Sequence, residues 1–201
     1  MFDSLVGLAI TAALLLGSPG PAPLTLAACG ASFGVRTSLP FLIGILLGLS
    51  VVIVGASLGV TVLFEAFPTI RLGVQLCGAA YIVYIAVKIA TAPVLKANEL
   101  ESAKAKIPSL IDGFIFNLLN PKAYAVLLAI FSQLQLPLDS AAINFIVMAA
   151  VCLLVAAVVD FIWLLLGQIL RSLLEGPRTA RLIRVSFAFL MVMAVGISVW
   201  G

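Results

Sequence analysis

Apolar residues run along this chain in six long stretches, about 4–33, 38–64, 69–91, 109–136, 141–170 and 182–200, parted by short polar segments. A helix crosses a bilayer core of roughly 30 Å with about 20 residues, so each stretch has the length of a membrane span. Backbone groups in hydrocarbon must bond within the chain, and runs this long suit helices rather than barrel strands. The pattern therefore predicts an all-α, polytopic integral membrane protein of six transmembrane helices in one transmembrane domain, 1–201. The first run could be a cleaved leader, but Asp3 and the lack of Lys or Arg ahead of its apolar core argue against that. It is kept as span one.

Two of the six runs are interrupted. In "LLLGSPGPAPLTL", residues 14–26, prolines stand at 19, 21 and 23. Each removes an N–H donor and biases the residue before it, Ser18, Gly20 or Ala22, toward extended backbone. One proline kinks a helix; this pattern predicts a break. Carbonyls before the break and the N–H groups of Leu24, Thr25 and Leu26 after it would then lack helical partners. Such groups are costly in lipid, so the break should face protein or a water-filled cavity. Span four repeats the theme in "DGFIFNLLNPKAYAVLL", where Asn120, Pro121 and Lys122 interrupt the run and Asn117 lies one turn earlier.

Each break falls in the first span of a three-span half, about a hundred residues apart. An odd number of spans per half turns the halves in opposite directions, which predicts an inverted repeat: repeat one about 1–91, a cytoplasmic linker about 92–108, repeat two about 109–201. "RLGVQ" at 71–75 and "RLIRV" at 181–185 open the third spans alike. Broken spans in corresponding positions point to a transporter's binding site near the bilayer midplane. Half-helix N-termini there would attract an anionic group and freed carbonyls a cation, an arrangement suited to a zwitterion.

Composition sharpens this picture. The chain is 64% hydrophobic and 9% charged, which leaves little for an extramembrane domain. Its charges are sided. Arg36, Lys88, Lys96, Lys104, Lys106, Arg171, Arg178, Arg181 and Arg184 follow spans one, three and five, and Arg71 alone follows span two or four. The positive-inside rule then puts both termini on the outer face of the membrane. Lys88, near the end of span three, is placed to snorkel to the headgroups. A net charge of +3 reflects loop placement and implies no nucleic-acid partner.

Lys122 and Asp160 are the two charges placed well inside spans, where each should face the bundle interior and be paired. Lys122 is expected to bind a substrate carboxylate or the break of span one, and Asp160 an ammonium group or a coupling proton. A direct Lys122–Asp160 bridge is the structural alternative. Asn117, Asn120 and Tyr124 form a polar stripe that lines a pathway or bonds a neighbouring helix. Tyr81 and Tyr84 read as structural. Gly44, Gly48, Gly55 and Gly59 give span two a small-residue face for close helix approach, within the protomer or across a homodimer.

Several chemistries are excluded. There is no histidine for a serine dyad, no second Asp deep in a span for an aspartyl protease, and no phosphate-binding G-x-x-x-x-G-K-[ST]. No clustered Cys or carboxylates offer a metal site, and Cys29, Cys77 and Cys152 are scattered through apolar runs as packing residues. No cofactor is expected.

"SPGPAPLTLAACGASFGVRTSLPFLIGILLGL" at 18–49, "GAAYIVYIAVKI" at 78–89 and "NLLNPKAYAVLLAIFSQL" at 117–134 together resemble the lysine exporter family of bacterial amino-acid exporters, and more closely its homoserine/threonine efflux branch. The resemblance implies a six-span inner-membrane secondary exporter of amino acids or similar small metabolites, driven by the proton gradient. It marks Pro19, Gly20 and Pro21 in the first element, Asn120, Pro121 and Lys122 in the second, and Asp160 in "VVDFIW". Departures are Pro23, which extends the first break, and Ser38 and Ala86, which stand where the family pattern has glycine. A channel or a structural membrane subunit is the competing reading.

Overall fold

A computed structural model describes residues 1–57, 67–91, 107–173 and 177–200. Those residues form eight helices: α1 (Phe2–Gly17), α2 (Pro21–Phe33), α3 (Val35–Ser57), α4 (Pro68–Ala90), α5 (Leu110–Leu118), α6 (Pro121–Gln133), α7 (Ala141–Leu173) and α8 (Pro177–Trp200). There is no strand among the described residues. Gly59, the far end of span two and the linker lysines 96, 104 and 106 lie outside them, as do the side chains of Arg71, Arg171, Arg178 and Arg184.

Both interruptions are real breaks. The chain bends by 66° between α1 and α2 and by 59° between α5 and α6, and each bent pair is long and apolar enough to be one span. The uninterrupted helices α3 and α7 meet the same test over Val35–Ala56 and Ala141–Leu170. α4 and α8 carry shorter apolar stretches, Gln75–Ala90 and Val185–Ala194. Four of the six expected spans therefore have full length and apolarity among the described residues.

The second half of span one is the centre of the molecule. All thirteen residues of α2 are buried, a placement that its small residues from Ala27 to Ser32 permit. α2 lies against α7 so closely that a Cβ on Gly30 would run into the Leu164 carbonyl oxygen, and one on Gly167 into that of Ala27. The same device joins α3 to α5, where a Cβ at Gly44 would strike the Leu110 carbonyl and one at Gly113 that of Phe41. Gly48 approaches the Phe114 carbonyl, where a Cβ would lie 2.6 Å away. The Gly44–Gly48 part of the expected small-residue face is thus used inside the protomer.

α2 turns into α3 at Gly34, whose φ of 81° lies in the left-handed region that glycine tolerates. The Val35 N–H that opens α3 donates to Gln168 Oε1 of α7 at 2.7 Å. Outward, Ile43, Leu47, Val51 and Val54 of α3 and Leu154, Ile162, Leu166 and Ile169 of α7 are exposed. Stripes of that kind on long apolar helices are lipid-facing surface. Ser38 and Ala86 are buried, and Ser38 Oγ donates to the Gly34 carbonyl at 2.9 Å. Cys29 and Cys152 are buried packing residues as expected, whereas Cys77 is exposed.

Candidate functional site

At the first break the carbonyls of Leu14, Leu15, Gly17 and Ser18 each find a donor. Ser18 is extended (φ −60°, ψ 145°), with its N–H on the Leu14 carbonyl and its Oγ donating to that of Leu15 at 2.9 Å. Trp163 Nε1 of α7 donates to the Gly17 carbonyl at 3.0 Å. Lys122 Nζ, from the other half of the chain, donates to the Ser18 carbonyl at 2.6 Å and to Ser18 Oγ at 2.8 Å. Of the two partners expected for Lys122, the structure shows the break of span one.

The donor side of the break differs from expectation. α2 begins at Pro21, so the Leu24 N–H bonds the Gly20 carbonyl at 3.0 Å, and Thr25 and Leu26 lie beyond the first turn. Pro21 and Pro23 fill two of the three leading positions and bring no N–H there, which leaves Ala22 as the donor of that turn. The first break is therefore an acceptor site, and the expected anion-attracting N-terminus is largely removed by the same prolines that make the break. Gly20 is extended (φ −172°), a conformation open to any residue. Its constraint is space: a Cβ there would lie 2.8 Å from both Cδ and Nζ of Lys122.

At the second break Asn120 is the N-cap of α6, its side chain accepting from the Lys122 N–H at 3.2 Å, and Pro121 takes the first helical position. This cap fixes where Lys122 leaves the helix. Asn117 donates from Nδ2 to the Ile45 carbonyl of α3 at 3.1 Å, and Asn120 Nδ2 donates to Asn117 Oδ1 at 3.4 Å. Tyr124 Oη donates to the Leu118 carbonyl at 2.9 Å, covering an acceptor that the break frees.

Between the breaks lies a cavity of about 30 Å³, lined by Asn117, Asn120, Lys122 and Asp160 with an aliphatic wall that includes Leu16, Ile45, Leu49 and Val126. A water needs about 10–15 Å³ by the same measure, so this conformation admits a few waters and no amino acid. Both halves of the chain contribute, since α1, α2 and α3 face α5, α6 and α7 across it. Asp160 is 7% exposed, and its carboxylate accepts no hydrogen bond among the described residues. Lys122 and Asp160 form no ion pair; the pair present among the described residues is Lys88–Asp112. A direct Lys122–Asp160 bridge is thus absent, although the two charges attract across the cavity.

Of the residues expected at a site, Asn117, Asn120, Lys122 and Asp160 are brought together. Pro19, Gly20, Pro21 and Pro121 shape the breaks without lining the cavity, and Tyr124 bonds a freed carbonyl. Pro23 does line it, so the extended first break reaches the cavity wall. Ser18 was missed as a partner. Its hydroxyl directly before a proline that breaks a span was the available signal.

A second polar cluster ties α4 to α5. Asp112 accepts from Lys88 Nζ at 3.0 Å, from Tyr81 Oη at 3.1 Å and from the Ser109 N–H at 2.7 Å, closing a capping box on α5. Lys88 therefore pairs within the protein instead of snorkelling to headgroups, and Tyr81 has the structural role expected of it.

The sequence profile of the LysE type translocator family matches residues 13–199. An uncharacterized membrane protein of Pseudomonas aeruginosa is 30% identical over 146 residues, 69% of this chain and 68% of its own. Another, from Vibrio cholerae, is 28% identical over 171 residues, 84% and 82% of the two chains. A protein of Salmonella typhimurium named homoserine/homoserine lactone efflux protein is 22% identical over 185 residues, 92% and 90% of the two chains. No solved structure matches.

Proposed function

This chain belongs to the LysE type translocator family, and on that premise we propose that it exports amino acids or related small zwitterionic metabolites across the bacterial inner membrane by alternating access. It is a membrane transporter and not an enzyme. The observation that carries the reading is the cavity at which both broken spans meet, holding one cation and one carboxylate among aliphatic side chains. Such a chamber can orient a small molecule bearing both charges. The efflux protein among its relatives points to the same class of cargo.

Two inverted three-span repeats account for a site built from both halves. With a few waters' worth of space, the cavity belongs to a closed conformation, and passage requires the halves to rock apart on either side of it. Asp160 is the candidate for the coupling proton, being a buried carboxylate without a hydrogen-bond donor among the described residues. The basic loops put both termini on the periplasmic side.

The test is counterflow in proteoliposomes, with labelled L-homoserine as the first probe and pooled amino acids after it. Saturable exchange that a proton gradient accelerates is expected. Flux linear in concentration would make the protein a channel, and no flux of any solute would make it a structural subunit. Comparing metabolites excreted by cells with and without the protein then identifies the cargo.

A further inference from the structure

The contacts of Lys122 carry more than a tie between two helices. An ammonium group has three N–H donors, and here two of them go to one residue, the carbonyl and hydroxyl of Ser18. Asp160 faces the same cavity, buried and without a hydrogen bond among the described residues. A lysine present only to neutralise this carboxylate would sit on it. Instead the two form no ion pair, and their charges attract only across the cavity.

We infer that the Ser18 carbonyl and hydroxyl, with the Asp160 carboxylate as counter-charge, form a binding site for a primary ammonium group, and that Lys122 occupies this site as the chain's own ligand. The inference rests on the reading of the cavity as the substrate site and deepens it. An incoming zwitterion brings the same head group that Lys122 presents, and a carboxylate that Lys122 itself can bind. Its ammonium displaces Lys122 from Ser18, and the freed lysine closes on its carboxylate. The two charges of the cargo are thereby read in one exchange, and a molecule with only one of them completes half of it.

Local structure aims the side chain at Ser18. Asn120 and Pro121 fix the backbone from which Lys122 springs, and Gly20 leaves the space its chain crosses. What Lys122 gives up at Ser18 are hydrogen bonds to neutral oxygens, which an ammonium of similar size replaces one for one. A quaternary ammonium, with no N–H, does not.

The experiment is thermal unfolding of the full chain in detergent with n-propylammonium, which matches the end of a lysine side chain. Lys122→Ala should show a saturable rise in Tm with this probe, at an apparent Kd about tenfold or more below that of wild type. Tetramethylammonium should do nothing, and Lys122→Ala combined with Asp160→Asn should lose the response. Equal responses in wild type and Lys122→Ala, or no response in a folded Lys122→Ala, would overturn the inference. Should Lys122→Ala not fold, Lys122→Leu keeps an apolar stem and removes the ammonium, and the same gain or its absence decides. The readout needs no transport, so it fails or succeeds separately from the counterflow assay.

Discussion

Lys122, Ser18, Gly20 and Asp160 divide the work of the site among a cation, its acceptors, the space it crosses and a counter-charge. If Asp160 carries the coupling proton, Asp160→Asn removes the titrating group and keeps the shape. Gradient-driven export should then fall about tenfold or more while gradient-free counterflow persists; unchanged pH dependence of export would remove Asp160 from coupling. Gly20→Ala separates position from stability. The three atoms nearest its new methyl all belong to the far end of the Lys122 side chain, so Tm should fall less than for a glycine packed on backbone while transport falls several-fold; Gly7→Ala, with open space around it, is the neutral control. Lys122 and Asp160 were legible in the sequence because charges inside long apolar runs are conspicuous. Their relation was not, since it depends on where Ser18 turns its carbonyl, and a serine before proline carries no label of its partner.

The two interruptions were legible for a different reason: proline acts on its own backbone and on the residue before it, so its effect survives any tertiary context. The donor side of the first break was misjudged because the helix restarts at Pro21 itself, with Pro23 inside the first turn. Close packing at glycine was legible as a pattern and not as a pairing. Gly30 and Gly167, not part of the face seen in span two, prove to hold α2 on α7 as tightly as Gly44 and Gly113 hold α3 on α5. At each, an added methyl meets a helix backbone that cannot move alone, so Gly30→Ala or Gly113→Ala should cost about 1–3 kcal/mol in reversible unfolding. Gly73→Ala, with nothing near it, should be neutral. Asp112→Ala removes the carboxylate half of the α5 capping box and the α4–α5 ion pair together, and a loss of about 2–3 kcal/mol is expected. Faster hydrogen exchange at 110–113 would localise the effect; unchanged exchange there would separate the cap from that loss.

Taken whole, the chain has one fully buried half-helix, α2, around which both halves pack, and its polar cavity lies where the two breaks approach each other. That a helical membrane protein with paired breaks would arise could be read from runs of apolar residues, four prolines and two asparagines. The proposed inversion of the halves and the proposed side of the termini rest on counting spans and loop charges alone. Accessibility of a cavity position from the two sides of a sealed membrane tests this account. In a chain whose Cys29, Cys77 and Cys152 are replaced, a cysteine at the buried, cavity-lining position Ala123 is treated with an impermeant thiol reagent from each side in turn. Alternating access predicts modification from both sides, with substrate and proton gradient moving the two rates in opposite directions. Modification from neither side, or from both at rates that rise and fall together, would contradict it.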